Sequence, residues 1–293
     1  MNVVCIPAYN EEGKIKDVIE KSLPYVDKVV VCDDGSTDDT AVLAKKAGAI
    51  VISHETNQGY GAAISTLFDY CRKNDTEIMV TLDGDGQHSP DQIPDLMNVI
   101  LKHNVDVVIG SRTLGNDKDI PAYRKAGIKI ITSTINSATD LKVTDSQSGF
   151  RAYSKPAIDL IRTTESGMAV STEILLKISN NGLSIAEVPI TVSYSGDTST
   201  EHPVTHGSHV IGTTLKYVSI KHPMYFYGLP GVLLFISGLI MGVSFLDGYL
   251  DTNSPKVLYG LMLGSIISIL LGSMMIVTSI LLFSMANLIR GTR

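Results

Sequence analysis

A chain of 293 residues has room for one large α/β domain and a smaller appendage. Its net charge of −6 argues against a phosphate-backbone binder, so no nucleic acid is expected as a partner. Three widely spaced cysteines, Cys5, Cys32 and Cys71, match no metal-ligand pattern and read as buried, reduced thiols.

The chain opens straight into a strand-like Val3–Ile6, so no signal peptide is expected. Val3–Ile6, Lys28–Cys32, Ala49–Ile52, Ile78–Leu82 and Val105–Ile109 are short apolar runs of the kind buried in a parallel sheet. Helical stretches separate them. Glu11–Leu23 keeps Ile15, Val18 and Ile19 on one face, and Ser36-Thr-Asp-Asp39 resembles a capping box opening a helix to Ala47. Gly61–Arg72 follows, and Ser89-Pro90-Asp91-Gln92 offers an N-cap, a first-turn proline and an early acid for a helix to about His103. This βαβ series predicts a doubly wound, mostly parallel sheet with its ligand crevice at the strand C-termini. The first βα turn, Pro7-Ala8-Tyr9-Asn10-Glu11, lacks the spaced glycines of a dinucleotide fold, and no Walker-type loop is present.

Further on come a helix from about Tyr123 to Thr139, the polar run Asp145–Tyr153, a helix through Thr172–Ser179 and a strand through Ile185–Val192. Residues 193–207 form a polar loop. Ser208–Lys221 spaces Val210, Ile211, Leu215 and Val218 near the helical period, as either a helix in the lipid headgroup plane or a plain amphipathic connector. The segments 225–246 and 257–288 carry no charged residue, and a helix needs roughly 20 apolar residues to cross a bilayer. The expected organisation is therefore a domain over 1–207, a juxtamembrane helix over 208–222 and a two-helix transmembrane hairpin over 223–293. Lys216, Lys221, Arg290 and Arg293 flank the hairpin on the domain side, whereas the link carries Asp247, Asp251 and Lys256. The positive-inside bias puts the domain and both termini in the cytoplasm.

The densest chemical signal is Val80-Thr-Leu-Asp-Gly-Asp-Gly-Gln-His88. Alternation along a strand sends Asp83, Asp85 and Gln87 to one side, and the glycines let backbone approach a ligand. Paired hard oxygen ligands suit Mg²⁺ or Mn²⁺, and through it a diphosphate; the plainer alternative is a Gly/Asp turn with solvated carboxylates.

Together, Ile6-Pro-Ala-Tyr-Asn-Glu11, Asp33-Asp-Gly-Ser-Thr-Asp38, Asn57-Gln-Gly-Tyr-Gly61, the Asp83/Asp85 pair, Gly110-Ser-Arg112 and Gly149-Phe-Arg151 resemble family 2 glycosyltransferases of the GT-A fold. Within that family the chain is similar to the polyprenyl-phosphate sugar transferases, the dolichyl-phosphate mannose and glucose synthases among them. The resemblance implies a nucleotide-sugar donor, a polyprenyl or dolichyl phosphate acceptor, a divalent metal and a membrane setting; homo-oligomerisation is left open. It implies that Pro7, Tyr9, Glu11, Asn57 and Gly84 line the donor and that Asp34 holds the base or ribose, unless Asp34 is only a helix N-terminal acid. It implies that Asp83, Asp85 and Gln87 hold metal and diphosphate. Arg112 matches a base near the donor phosphates, or else forms a surface ion pair. Arg124 matches a residue that meets the acceptor phosphate, or else greets anionic lipid. Glu173 falls where related enzymes keep a general base, although a phosphate acceptor, already anionic, needs none, and Glu173 then serves as an orienting or capping acid. Mannosyl members tend to carry Arg and Lys where this chain has Tyr194–Pro203, which favours UDP-glucose or UDP-N-acetylglucosamine over GDP-mannose. With no tryptophan in the chain, the Gln-x-x-Arg-Trp box of processive synthases is absent. The rivals are transfer to a lipid hydroxyl and a non-catalytic nucleotide-sugar-binding membrane module.

Overall fold

A computed structural model describes residues 1–115, 122–139, 141–193, 219, 223–251 and 255–291. The chain divides into two compact units, Met1–Thr213 and Thr214–Arg293.

The first unit is built on seven strands: β1 (Asn2–Ala8), β2 (Lys28–Asp33), β3 (Ile50–Ser53), β4 (Ile78–Thr81), β5 (Val107–Ser111), β6 (Arg151–Ser154) and β7 (Ile185–Pro189), in the order β3-β2-β1-β4-β6-β5-β7. All neighbours pair in parallel except β6, which runs antiparallel to both β4 and β5. The C-terminal ends of β1, β2, β4 and β5 therefore meet at one edge of the sheet, and β6 enters at that same edge. Ala8 pairs with Asp33, and Arg151 lies opposite both Thr81 and Ile109.

Side chains alternate across the sheet and bury both faces, which is why these strands read as unbroken apolar runs. On one face Val3, Cys5, Val30 and Cys32 join residues of α3 (Tyr60–Lys73), α6 (Lys155–Leu160) and α7 (Val170–Asn180). On the other, Val4, Ile6, Val29 and Val31 pack with α1 (Ile15–Ser22) and α4 (Ile93–His103). The apolar period of α1, with Ile15, Val18 and Ile19 inward, agrees with the sequence.

Its start does not. Glu11 N donates to Thr40 Oγ1 at 2.7 Å and Glu12 N to Asp38 Oδ2 at 3.2 Å, so residues 11–14 are tied to the next loop and the helix begins at Ile15. The capping box expected at Ser36–Asp39 is likewise not formed. Helix α2 (Thr40–Lys46) starts later, Asp38 accepts from Thr40 N and Oγ1, and the Ser36 hydroxyl instead accepts from Asn10 N at 2.9 Å. Strand β6 was not foreseen. It is only four residues long and opens on a buried arginine, so no apolar alternation marks it. Helix α5 (Ala122–Ala138) matches its expected span closely.

In the second unit a π-helical turn, Met224–Gly228, leads into α8 (Leu229–Asp251), and α9 covers Pro255–Gly291. Stretches of 26 residues in each, Met224–Tyr249 and Tyr259–Ser284, are long and apolar enough to cross a membrane. Helix α8 runs through the polar Asp247–Asp251 that reads as part of a link. The two helices approach through small residues: a methyl on Gly272 would lie 2.6 Å from Phe235 N, and Ser265 Oγ donates to Gly238 O at 2.8 Å. Outside the described residues lie the loop after Ser193 and the juxtamembrane stretch 208–222, apart from Ser219.

Candidate active site

Past Thr81, strand β4 delivers Asp83 and Asp85 to the edge where β1, β2 and β5 also end. Gly84 between them is buried, and a methyl there would meet Ile6, Glu11 and Ile15 at 3.5 Å. The carboxylate of Asp83 accepts from the Tyr60 hydroxyl at 3.1 Å, and His88 Nε2 lies 3.8 Å away. Asp85 accepts from Gln87 N at 2.9 Å, while Gln87 O accepts from Ser193 N at 2.9 Å, tying this loop to the chain beyond β7.

Electrostatics shows that the acids share one space. Burial, then the charge of Asp83, pushes Asp85 up to about 6. Burial followed by the charges of Asp85, Asp83 and Asp38 pushes Glu11 up to about 7. Burial also raises Asp83, against the pull of Tyr60, Arg112 and Arg151. Glu11 lies against Gly84 between the two aspartates, and acids raised in this way are relieved by protons or by a cation. Among the described residues no group of three or more His, Cys, Asp and Glu side chains is set to hold a metal ion by itself. A cation here would lean on the two aspartates and draw its other oxygens from elsewhere.

Around this pair the structure places the other predicted residues. Pro7 is buried, in register with Cys32, whereas Tyr9 and Asn57 are exposed. Asp34 is buried and accepts from His54 Nδ1 at 2.6 Å, Gln58 N at 3.0 Å and Gly59 N at 2.7 Å. Its visible work is to fix the loop that carries Asn57. Arg112 makes a bidentate pair with the fully buried Asp145, Nε to Oδ2 at 2.7 Å and one terminal nitrogen to Oδ1 at 2.8 Å. The same carboxylate takes Arg112 N at 3.1 Å, and although burial opposes it, the guanidinium holds Asp145 below the usual range. Arg112 is therefore no loose surface charge, and it is near enough to pull down both Asp83 and His88. Arg124 sits in the first turn of α5, its side chain outside the described residues.

Glu173 is engaged elsewhere. Its oxygens accept from Thr164 N at 3.0 and 2.9 Å, Thr164 Oγ1 at 2.7 Å and Glu165 N at 2.9 Å, and Lys177 Nζ lies 3.0 Å away. Burial works the other way, yet these donors bring its carboxyl below the ordinary range. Such a group accepts a proton poorly.

Sequence reasoning missed three participants. Tyr60 was quoted only inside Asn57–Gly61, Asp145 only as the start of a polar run, and His88 only as the end of a motif. His88 is buried against Phe150, their ring centres 5.4 Å apart, and burial with Arg112 nearby lowers it to about 4, so it stands neutral. Arg151 is buried as well, donating to the carbonyls of Ser146, Ser148 and Ser171. It shapes the loop that brings Asp145 and Gly149 to the site.

Comparison with known proteins gives the family and the fold. The glycosyl transferase family 2 model matches residues 3–161. A UDP-N-acetylglucosamine–dolichyl-phosphate N-acetylglucosaminyltransferase of Methanococcus voltae is 33% identical over 238 residues, 72% of this chain and 92% of that protein. A dolichyl-phosphate hexose transferase of Haloferax volcanii is 33% identical over 193 residues, 64% of this chain and 80% of the other. Glucosyl-3-phosphoglycerate synthase from Mycobacterium tuberculosis, solved with Mn²⁺, UDP-glucose and phosphoglyceric acid, shares the fold at a TM-score of 0.58. It is 24% identical, with 75% of this chain and 80% of that one covered. The chain belongs to glycosyl transferase family 2 and is a glycosyltransferase of GT-A-like fold.

Proposed function

We propose that this enzyme transfers a sugar, with inversion, from a nucleotide sugar to a polyprenyl phosphate, and that UDP-N-acetylglucosamine or UDP-glucose is its preferred donor. The observation that carries the reading is the placement of Asp83 and Asp85 just past β4 at the C-terminal edge of the sheet, with Glu11 against the Gly84 between them, oxygen donors suited to a divalent cation and through it a donor diphosphate. Asp83, Asp85 and Gln87 would hold Mg²⁺ or Mn²⁺. Such an ion neutralises charge on a departing nucleoside diphosphate. Arg112, held rigid by Asp145, adds a fixed positive charge beside them. Pro7 and Tyr9 at the end of β1, Asp34 just past β2, and Asn57 in the loop after β3 that Asp34 fixes would line the nucleoside.

In the proposed step a phosphate oxygen of the acceptor attacks the anomeric carbon while the carbon–oxygen bond to the donor diphosphate breaks. The bonding electrons leave with the nucleoside diphosphate. A phosphate monoester has a second pKa near ~6, so no proton need be removed at neutral pH. That fits a Glu173 whose oxygens are occupied by backbone donors and Lys177, and it favours a phosphate acceptor over a lipid hydroxyl. The acceptor class named for the relatives of Methanococcus voltae and Haloferax volcanii supports the same choice. In this reading the hairpin α8–α9 crosses the membrane and keeps the enzyme in the bilayer that dissolves such a lipid, and the bias of flanking basic residues supports a catalytic unit on the cytoplasmic side.

The test is a panel of labelled UDP- and GDP-sugars offered with dolichyl or undecaprenyl phosphate and Mn²⁺ or Mg²⁺. A lipid-linked sugar formed fastest from a UDP donor is expected. Transfer only to lipid hydroxyls, or none at all, would contradict the proposal.

A further inference from the structure

Asp83 is bounded by two neighbours with no charge of their own, Tyr60 and Gly149. Tyr60 donates its hydroxyl to Oδ1 at 3.1 Å. Beside that hydroxyl lies the Cα of Gly149, where an added methyl would sit 2.7 Å from Oδ2, 2.9 Å from Oδ1 and 3.0 Å from the Tyr60 oxygen. Gly149 is fixed in turn, because Thr81 Oγ1 donates to its carbonyl at 2.7 Å. The side chain of Asp83 is 31% exposed, so water has access to it. What the tyrosine hydrogen bond does is set a direction.

Tyr60 is itself held with unusual thoroughness for the first residue of a helix. A helix start leaves several backbone N–H groups without intrahelical partners. Here Gln58 N and Gly59 N go to Asp34, while Gly61 N at 2.7 Å and Ala62 N at 3.2 Å go to the carbonyl of Ser166. The Ser166 loop is anchored by Thr164 and Glu165 donating to Glu173. Two buried acids, one on each side, thus clamp the turn that aims a single hydroxyl at Asp83.

We infer that Tyr60 is a positioning residue that orients the Asp83 carboxylate for a divalent cation, and that Glu173 serves the same carboxylate indirectly by anchoring the loop that holds the start of α3. This rests on the metal role proposed above for Asp83. Groups that orient a metal ligand through hydrogen bonds affect metal binding without touching the metal.

The decisive comparison is Tyr60→Phe against wild type, full-length in detergent, by Mn²⁺ titration in the presence of UDP. Loss of the free-ion electron paramagnetic resonance signal reads bound Mn²⁺, and melting temperature in EDTA reads the fold. The variant should bind Mn²⁺ about 10- to 100-fold more weakly, with an unchanged melting temperature because phenylalanine fills the same space. Gly149→Ala, whose methyl would crowd both the Asp83 carboxylate and the Tyr60 hydroxyl, should weaken Mn²⁺ binding in the same direction. If Tyr60→Phe binds Mn²⁺ as wild type does, the positioning role is wrong while the metal site stands. If wild type takes up no Mn²⁺ with either UDP or GDP, the metal site itself falls and the positioning role with it.

Discussion

Asp85 and Glu173 are both acids that the family resemblance marks for chemistry, and their surroundings assign them opposite duties. Asp85 is raised and close to other acids; Glu173 is lowered and filled with donors. Substituting Asp85→Asn should reduce transfer by roughly 10²–10³-fold, since it removes charge where the leaving diphosphate must be neutralised. By contrast, Glu173→Gln should cost no more than about tenfold in kcat, well short of the 10²–10⁴-fold typical of a lost general base. A larger kcat loss, together with disappearance of the acidic limb of the pH–rate profile, would reinstate it as the base. The raised acids also predict a pH effect. Glu11 at about 7 and Asp85 at about 6 hold protons in the folded protein that the unfolded chain has already released. Without a cation, their contribution to stability is present at low pH and is lost as pH rises through those values. Because a cation competes with those protons, the rise in melting temperature given by Mn²⁺ with UDP should grow between about pH 5 and pH 7.5. A rise that is flat across that range would contradict the shared site. Of these residues, the aspartate pair was legible as two acids one residue apart just past an apolar run, although strand alternation is not what converges them: β4 stops at Thr81, and Gly84 and Asp85 lie in a turn. Tyr60 and Asp145 were not, since each acts through a partner 23 or 33 positions distant in sequence.

At the scale of elements, the site depends on loops that touch one another through backbone. Gly61 is the tightest of these contacts: a methyl there would lie 2.1 Å from the carbonyl of Glu165 and 2.8 Å from that of Gly167. Gly61→Ala must push the 164–167 loop away, and overpacking of this kind typically costs about 1–3 kcal/mol. A lowered melting temperature together with weaker UDP binding is expected, and an unaltered nucleotide affinity would show that the loop does not support the donor site. Strands β1, β2 and β4 were readable because both faces of each are buried, leaving continuous Val, Ile and Cys runs. Strand β6 was hidden for the opposite reason. Its first residue, Arg151, is buried by giving its guanidinium to three backbone carbonyls, which no hydrophobic pattern records. The missed capping box has the same origin: Ser36 and Asp38 spend their oxygens on the loop after β1 and on Thr40 rather than at the helix position their spacing suggests.

At the scale of the molecule, the two compact units Met1–Thr213 and Thr214–Arg293 differ in composition, the second holding two long uncharged segments. The side on which the catalytic unit lies rests on charge bias alone. It is tested by Thr252→Cys in the short link between α8 and α9, since the three native cysteines are buried. An impermeant maleimide should label it from outside intact cells; labelling only after lysis would reverse the orientation. What the sequence left open, donor and acceptor identity, is settled by contacts with molecules that composition and periodicity do not encode. The most direct measurement is therefore mass spectrometry of the lipid fraction after purified full-length enzyme is incubated with UDP-N-acetylglucosamine or UDP-glucose, dolichyl phosphate and Mn²⁺. The account predicts a new dolichyl-phosphate-linked monosaccharide, absent when Asp85→Asn replaces the wild type. An unchanged dolichyl phosphate pool with the wild-type enzyme, across every nucleotide sugar supplied, would contradict it.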